Sequence, residues 1–328
     1  MILRGNLGLR YSDQSTETFN FSNELSWKNA DDLVKLNDFD FDFEQKGESA
    51  KFLPSMNLIL DLENDWVVRG AYSTVISRPA YIQLAQQLFV NNIDPDQVTD
   101  DGATRTAKKG NADLEAFEAD KYDLSTEWYY SEGSSVSLAV FYYDVKTLVT
   151  TQESLEDLLG DGDLYRVTQP INKEGGSVKG IEAALSHQFI SLPAPFDGLG
   201  IQANYTYVDS DTEETNPLTG EQLPLAGLSE STYNAVLFYS KEQWDARLSY
   251  NYRDAYYEQI QYSFPRFNES IARLTAKVKY KFDSGLSLYL QGTNLTNQQN
   301  KRYIGDPSRP FQTSEVGRNV VAGFDFVF

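Results

Sequence analysis

The chain has no cysteine and a single histidine among its 328 residues. Without thiols there is no disulfide framework and no thiolate metal site, a composition that suits an oxidising compartment. With His187 alone, a multi-histidine zinc site cannot be built, and a Ser-His-Asp triad would rest on that one ring. No apolar run approaches the roughly eighteen residues that a membrane-crossing helix needs. Basic residues are scarce, 28 against 48 acidic ones, for a formal net charge of −20. Phosphate recognition needs a basic surface, so nucleic acid is not an expected partner. Nucleophile elbow, P-loop, H-E-x-x-H and dinucleotide fingerprint are all missing, and Gly175, Gly176 and Gly180 are too loosely spaced to cradle a phosphate. The chain therefore reads as no enzyme, with no cofactor and no metal. Its first residues, Met1-Ile2-Leu3-Arg4-Gly5-Asn6, also lack the features of a secretory signal.

Aromatic residues are plentiful: 21 Tyr and 19 Phe. Their spacing is mostly two. Leu199, Ile201, Ala203, Tyr205 and Tyr207 alternate with Gln202, Asn204 and Thr206; Leu274, Ala276, Val278, Tyr280 and Phe282 alternate with Thr275, Lys277, Lys279 and Lys281. A period of two is the signature of a strand with one apolar and one polar face. About twelve such strands are expected, near 2–12, 50–62, 65–77, 120–130, 134–146, 177–189, 199–209, 230–240, 243–253, 267–282, 285–298 and 313–328. Connections alternate in length: short near 62–65, 131–134, 190–198, 240–243 and 283–285, long at 13–49, 78–119, 147–176, 210–230, 254–267 and 299–313. Short turns at one end and long loops at the other are the form of an outer-membrane β-barrel; a soluble sandwich has no reason to sort them.

Strand direction then gives each outward residue a depth. Trp66, Trp128, Tyr130, Trp244, Tyr280, Phe282, Phe326 and Phe328 fall at the short-turn rim, with His187 beside them. Tyr11, Tyr142, Tyr205, Tyr207, Tyr233, Tyr250 and Tyr252 fall toward the long-loop rim, with Leu58, Leu138, Leu185, Leu248 and Leu288 between. Two aromatic girdles around an apolar band match the two interfaces of a bilayer. The expected fold is all-β, an antiparallel transmembrane barrel in a bacterial outer membrane.

The last strand, Val320 to Phe328, places Phe324, Phe326 and Phe328 on one face. A terminal Phe with alternating apolar residues resembles the signal read by the barrel-assembly machinery, and an aromatic edge strand suits recognition by strand addition. Several stretches then appear in order: Phe52-Leu-Pro-Ser-Met-Asn-Leu58, Val75-Ile-Ser-Arg-Pro79, Gly110-Asn-Ala-Asp-Leu114 leading into Tyr122-Asp-Leu-Ser-Thr-Glu-Trp-Tyr129, Val178-Lys-Gly-Ile-Glu182, Asn204-Tyr-Thr-Tyr-Val208, Tyr250-Asn-Tyr-Arg253, and Gly292-Thr-Asn-Leu-Thr-Asn297 followed by Tyr303. With these, the chain resembles the C-terminal barrel region of TonB-dependent outer-membrane receptors, in wording most like the Xanthomonas and Caulobacter branch. Ala112-Asp113 departs from the pattern, which more often has proline after Gly-Asn. The resemblance implies a 22-stranded barrel filled by an N-terminal plug that binds TonB. Residues 1–328 are then expected to be the C-terminal part of such a barrel, without plug and signal peptide; a free-standing twelve-stranded barrel is the alternative.

The resemblance implies active import of a scarce solute, carbohydrate or oligosaccharide favoured over iron-siderophore. A passive porin and a soluble sugar-binding β protein are the other readings. Expected partners are outer-membrane lipid and lipopolysaccharide, the barrel-assembly machinery, and TonB through the plug. Loop 254–267 supplies the candidate solute site: Tyr256, Tyr257, Tyr262 and Phe264 to stack on sugar faces, and Glu258, Gln261 and Arg266 to bond hydroxyls or a charged group. The same rings could equally continue the outer girdle or fold the loop. Lys277, Lys279 and Lys281 should line the lumen, facing either water or plug carboxylates. Two acidic groups, Asp94, Asp96, Asp100 and Asp101 in one loop and Asp209, Asp211, Glu213 and Glu214 in another, read as solvated loops; the sharper reading is divalent-cation bridges to lipopolysaccharide.

Overall fold

The computed structural model describes every residue except 19–25, 29–32, 36–44, 86–88, 93–102, 104, 159–161, 163, 262–263 and 328. All twelve expected strands form. They are β1 (Ile2–Thr18), β2 (Gln45–Asp61), β3 (Trp66–Ser77), β4 (Phe117–Ser131), β5 (Ser134–Glu156), β6 (Tyr165–Gln188), β7 (Leu199–Thr212), β8 (Ser231–Lys241), β9 (Trp244–Arg253), β10 (Ile271–Lys281), β11 (Leu286–Thr293) and β12 (Asn319–Phe326). Each pairs antiparallel with the next, so the path runs from β1 to β12 in sequence order; among the described residues no ladder joins β1 to β12. No described helix is long and apolar enough to cross a membrane.

The short turns are tight because their residues accept left-handed backbone. Asn64 and Asp65 (φ 59° and 61°) close β2 onto β3, and Glu242 (φ 54°) closes β8 onto β9. Asparagine and aspartate tolerate this region through local hydrogen bonding. Asn294 and Asn297 (φ 51° and 54°) end β11 in the same way. The Asn294 amide donates to the carbonyls of Gln298 and Gly317, which explains why the strand expected over 285–298 stops at Thr293.

Register confirms the two faces. Trp66 lies opposite Trp128, Tyr72 opposite Tyr122, and Tyr122 opposite Tyr142. Their rings meet: Trp66–Trp128 at 5.4 Å, Trp128–Tyr130 at 5.0 Å, Trp244–Tyr280 at 4.8 Å and Tyr280–Phe282 at 4.7 Å form the lower ring. Tyr11–Phe52 at 5.0 Å, Tyr72–Tyr122 at 5.0 Å and Tyr233–Tyr252 at 4.6 Å form the upper one. Between them Leu124, Leu138, Val140, Leu237, Leu248 and Leu290 are all exposed. A continuous apolar belt of this kind marks a surface made for a partner or for lipid.

The opposite face is polar and internally paired. Arg69 grips Glu127 with Nε and a second nitrogen at 2.8 and 3.2 Å, Tyr129 donates to the same carboxylate at 2.7 Å, and Asn234 donates to Asn204 at 2.8 Å.

The expected loops 78–119, 147–176, 254–267 and 299–313 carry strands of their own. Segment 147–176 continues the β5–β6 hairpin, with Thr147–Glu156 in register against Tyr165–Glu174. A strand at Arg105–Lys108 adds parallel to Tyr165–Thr168, burying Ala107, Tyr165 and Val167. Gln169, Asn111 and Asn172 fasten this layer by side-chain bonds to the carbonyls of Gly110, Pro170 and Glu115. The departure at Ala112-Asp113 is accommodated because the Asn111 side chain accepts from the Asp113 backbone N–H at 3.0 Å. The strand expected over 267–282 is broken at Glu269-Ser270, and that over 313–328 is broken at Gly317 (φ 74°). The pieces removed join a separate sheet.

Candidate functional site

That second sheet has four strands, Tyr256–Gln261, Phe264–Asn268, Asn300–Ile304 and Pro310–Ser314, at the long-loop end of β9–β12. It contains most of the residues expected to meet a solute. Tyr262 lies outside the described residues, as does the side chain of Gln261.

Tyr257 is corrected. It is 1% exposed, too buried to offer a ring to a ligand. Its hydroxyl donates to Glu214 Oε1 at 2.8 Å, its ring meets Phe267 edge-on at 5.8 Å, and its carbonyl accepts from Gly227 N–H. Burial, reinforced by Glu214, pushes its hydroxyl pKa upward. Tyr257 ties loop 213–230 to the sheet.

Glu258 and Arg266 are committed to each other. Glu258 accepts from Arg266 and from the Asn268 amide, both at 3.0 Å, and Arg302 approaches to 3.5 Å. Burial alone would raise the Glu258 pKa, but the bonds from Arg266 and Asn268 outweigh it and hold the carboxyl below its ordinary value. Tyr256 is half-covered, with the Arg253 guanidinium 3.9 Å above its ring. Phe264 and Phe311 sit near Arg309 and Arg266, at 6.0 and 5.3 Å. The surface left to a solute is thus a set of rings paired with guanidinium groups, together with Arg302 and Gln312, which bond each other at 3.0 Å. Sequence reasoning missed the Phe267–Tyr303 stack (5.2 Å) that holds the middle strands together; Tyr303 was visible only as part of an ordered pattern.

The other expected positions fall as follows. Lys277, Lys279 and Lys281 alternate along β10 opposite Gln291, Tyr289 and Ser287 on the polar face. Lys279 bonds Asp325 at 2.9 Å, and Lys277 stands 5.3 Å over the Tyr289 ring. Phe324 and Phe326 sit on the apolar face opposite Leu288 and Leu286; Phe328 lies outside the described residues. His187 belongs to the lower ring, its Nδ1 2.9 Å from Tyr130 Oη and its imidazole stacked at 5.8 Å. Of the second acidic group, Asp209 pairs with Lys179 at 3.1 Å and Glu214 with Tyr257; the first group lies outside the described residues. Among the described residues no group of His, Asp or Glu could hold a metal ion.

The polar face is not uniform. On β3 and β4 it carries Arg69, Lys121, Asp123 and Glu127, and on β9 and β10 Arg247, Arg273 and the lysines. Between these, alternate residues from Ser135 to Tyr143 on β5, Gly180 to Ser186 on β6, Gly200 to Thr206 on β7 and Thr232 to Phe238 on β8 share that face, and Glu182 is their one charged member. Above it, Val145, Val178 and Ala119 form an apolar cluster against which Leu225 and Leu228 of loop 213–230 pack.

The whole chain was compared with known proteins. A family model described as "TonB dependent receptor-like, beta-barrel" matches residues 3–295. No curated protein sequence matches. Among solved structures, the ferric enterobactin receptor PfeA of Pseudomonas aeruginosa aligns with a TM-score of 0.62 at 18% identity, over 85% of this chain and 41% of that one. The siderophore receptor PirA of Acinetobacter baumannii gives 0.60 at 18%, over 86% and 42%. The siderophore receptor PiuA of Acinetobacter baumannii gives 0.60 at 14%, over 99% and 40%. The chain spans about two-fifths of the length of these structures, and at such identity the likeness speaks for the fold. The family match covers most of the sequence, and the chain belongs to the TonB-dependent receptor β-barrel family.

Proposed function

We propose that the chain is the C-terminal part of an outer-membrane receptor that imports a scarce solute with energy supplied through TonB. The observation that carries this reading is the family match over residues 3–295, on a sheet with a lipid-type aromatic belt on one face and a paired polar wall on the other. A share of about two-fifths of each solved neighbour supports the expectation that plug and TonB-binding segment lie in further sequence. Lys277 and Lys281 would then face the plug, while Lys279 is engaged by Asp325. Lipopolysaccharide and the barrel-assembly machinery are the partners proposed for the apolar belt and for β12. Nothing observed favours a passive porin.

For the solute, an oligosaccharide is preferred, on the strength of the stretch of the polar face where Glu182 is the one charged residue. An iron-siderophore is the second reading, favoured by the guanidinium groups of Arg266 and Arg302 on the outer sheet and of Arg253 and Arg309 beside it. The test is uptake of radiolabelled oligosaccharides and ferric siderophores by cells expressing the full receptor, with and without TonB. Import that depends on TonB is expected, and equal uptake in both strains would overturn the proposal.

A further inference from the structure

The β5–β8 part of the polar wall, where Glu182 is the one charged residue, has a definite chemistry. A groove of about 310 Å³ lies on it, lined in part by apolar Ala184, Leu185, Ala203 and Val236 and otherwise by Ser135, Ser137, Ser186, Gln202, Asn204 and Asn234. The polar side chains are short or neutral, and each offers a hydroxyl or an amide. Asn234 donates to Asn204 at 2.8 Å, which spends one donor and leaves that amide a further N–H. An anion or a metal chelate finds no counter-charge here, whereas the flanking walls carry Arg69 and Glu127 on one side and Arg247 and Lys277 on the other.

Beyond the groove on either side an aromatic ring lies on the same face: Phe238 one same-face position past Ser186 and Gln202, and Phe141 two past Ala184, with Glu182 between. A Cβ at Gly180 would lie 2.4 Å from Phe141 Cζ, and one at Gly200 would lie 2.2 Å from Phe238 Cζ. The two glycines therefore make room for the rings, which remain partly exposed, Phe141 also stacking with Tyr143 at 5.0 Å. Gly200 pairs with Gln188, eight residues along β6 from Gly180, so the rings stand about 26 Å apart at roughly 3.3 Å per residue. Apolar ring faces with hydroxyl and amide groups between them match the two sides of a sugar: C–H faces and equatorial hydroxyls.

We infer that the β5–β8 wall is a transit lane for an uncharged, polyhydroxylated solute, with Phe141 and Phe238 as its platforms and Asn204 and Asn234 as its central hydrogen-bonding pair. This rests on the import reading and names the solute class that the receptor passes. The lane lies away from the outer sheet, so it governs passage more than capture.

The experiment uses the full receptor in TonB-competent cells. Probes are radiolabelled maltohexaose, cellohexaose and xylohexaose, with a ferric catecholate siderophore as the charged arm. Asn204→Leu/Asn234→Leu keeps side-chain volume and the sheet register while removing the amides. Uptake of the accepted oligosaccharide is expected to fall roughly tenfold, the loss of about one hydrogen bond per passing sugar, with surface binding at 4 °C unchanged and cold-gel mobility normal. Asn204→Gln/Asn234→Gln, which keeps the amides, should retain most uptake. Unchanged uptake in the leucine variant overturns the inference. So does equal loss in the leucine and glutamine variants, which would assign the wall to protein packed over it. TonB-dependent import of the siderophore alone overturns the lane but leaves the import reading standing; no TonB-dependent import of any probe overturns both.

Discussion

Leu138 and Ser137 are neighbours in β5 that the fold sends to opposite solvents, and a charge placed at each measures that difference. Val136 lies opposite Trp128 of the lower aromatic ring, and Tyr142 lies opposite Tyr122 of the upper one. Six residues at roughly 3.3 Å span about 20 Å along the strand, or about 15 Å along the membrane normal at a tilt near 40°. Leu138 sits close to the middle of that span and is 47% exposed. Leu138→Arg therefore puts a guanidinium near the lipid midplane, at a cost of about 2–4 kcal/mol. That corresponds to a loss of roughly 30- to 1000-fold in the folding equilibrium. Ser137→Arg points the same side chain into the polar groove and should cost under about 0.5 kcal/mol, as a solvated substitution does. The assay is guanidinium-titrated folding of the full receptor into lipid vesicles, followed by tryptophan fluorescence and cold-gel mobility. Equal costs at the two positions, or a larger one at Ser137, would show that the apolar belt does not face lipid.

Three further outcomes follow from contacts. Tyr257→Phe removes the bond to Glu214 and should loosen loop 213–230 by about 1 kcal/mol, seen as roughly fivefold faster amide exchange there; unaltered exchange would deny the tie. Glu258→Gln weakens the clip with Arg266 and Asn268. Because the folded pKa of Glu258 is depressed from 4.5, the clip stabilises above that value and is lost as pH falls through the folded value. The variant should speed proteolysis of the 254–268 hairpin at pH 7, and the gap from wild type should close as the solution is acidified below about pH 4.5; a gap that widens refutes the assignment. Gly200→Ala drives a methyl into the Phe238 ring and should cost about 1–3 kcal/mol. Phe238→Leu in the same chain should recover part of that, and strict additivity would mean that ring and glycine do not touch.

Period-two patterning was enough to place all twelve barrel strands, because hydrocarbon on one side and water on the other force alternate residues apart in polarity. The girdles were legible for the same reason: Trp66 and Trp128 need only a strand direction to acquire a depth. The outer layer was not legible. Thr147–Glu156 and Tyr165–Glu174 carry Leu148, Val149, Thr150, Thr151, Val167 and Ile171, good strand formers, yet that hairpin runs beyond the level of Tyr142 in the upper aromatic ring. Without a lipid face its alternation fades and the acidic residues between dominate the reading. Loop 254–267 failed differently. Its aromatic richness suits display and loop packing equally; Tyr257 is a packing residue, and a sequence cannot say which tyrosine in a pair is covered.

The same distinction explains where function was hidden. Display sites attract notice because they combine rings with charges, as Tyr256, Glu258 and Arg266 do, and those are the groups that a folded loop uses up on itself. Arg266 binds Glu258, Arg253 covers Tyr256, and little of their chemistry is left over. Serines, asparagines and glycines in the middle of a strand look inert beside them. Yet Ser137 and Asn204 line the groove, Gly200 lies buried beneath the Phe238 ring on the same face, and the Asn234 amide donates to Asn204. Their value comes from register: Asn204 opposite Asn234, Gly200 opposite Phe238 and Gly180 opposite Phe141. Only the pairing of four strands assembles them into one surface, so no single strand of the sequence could have announced it.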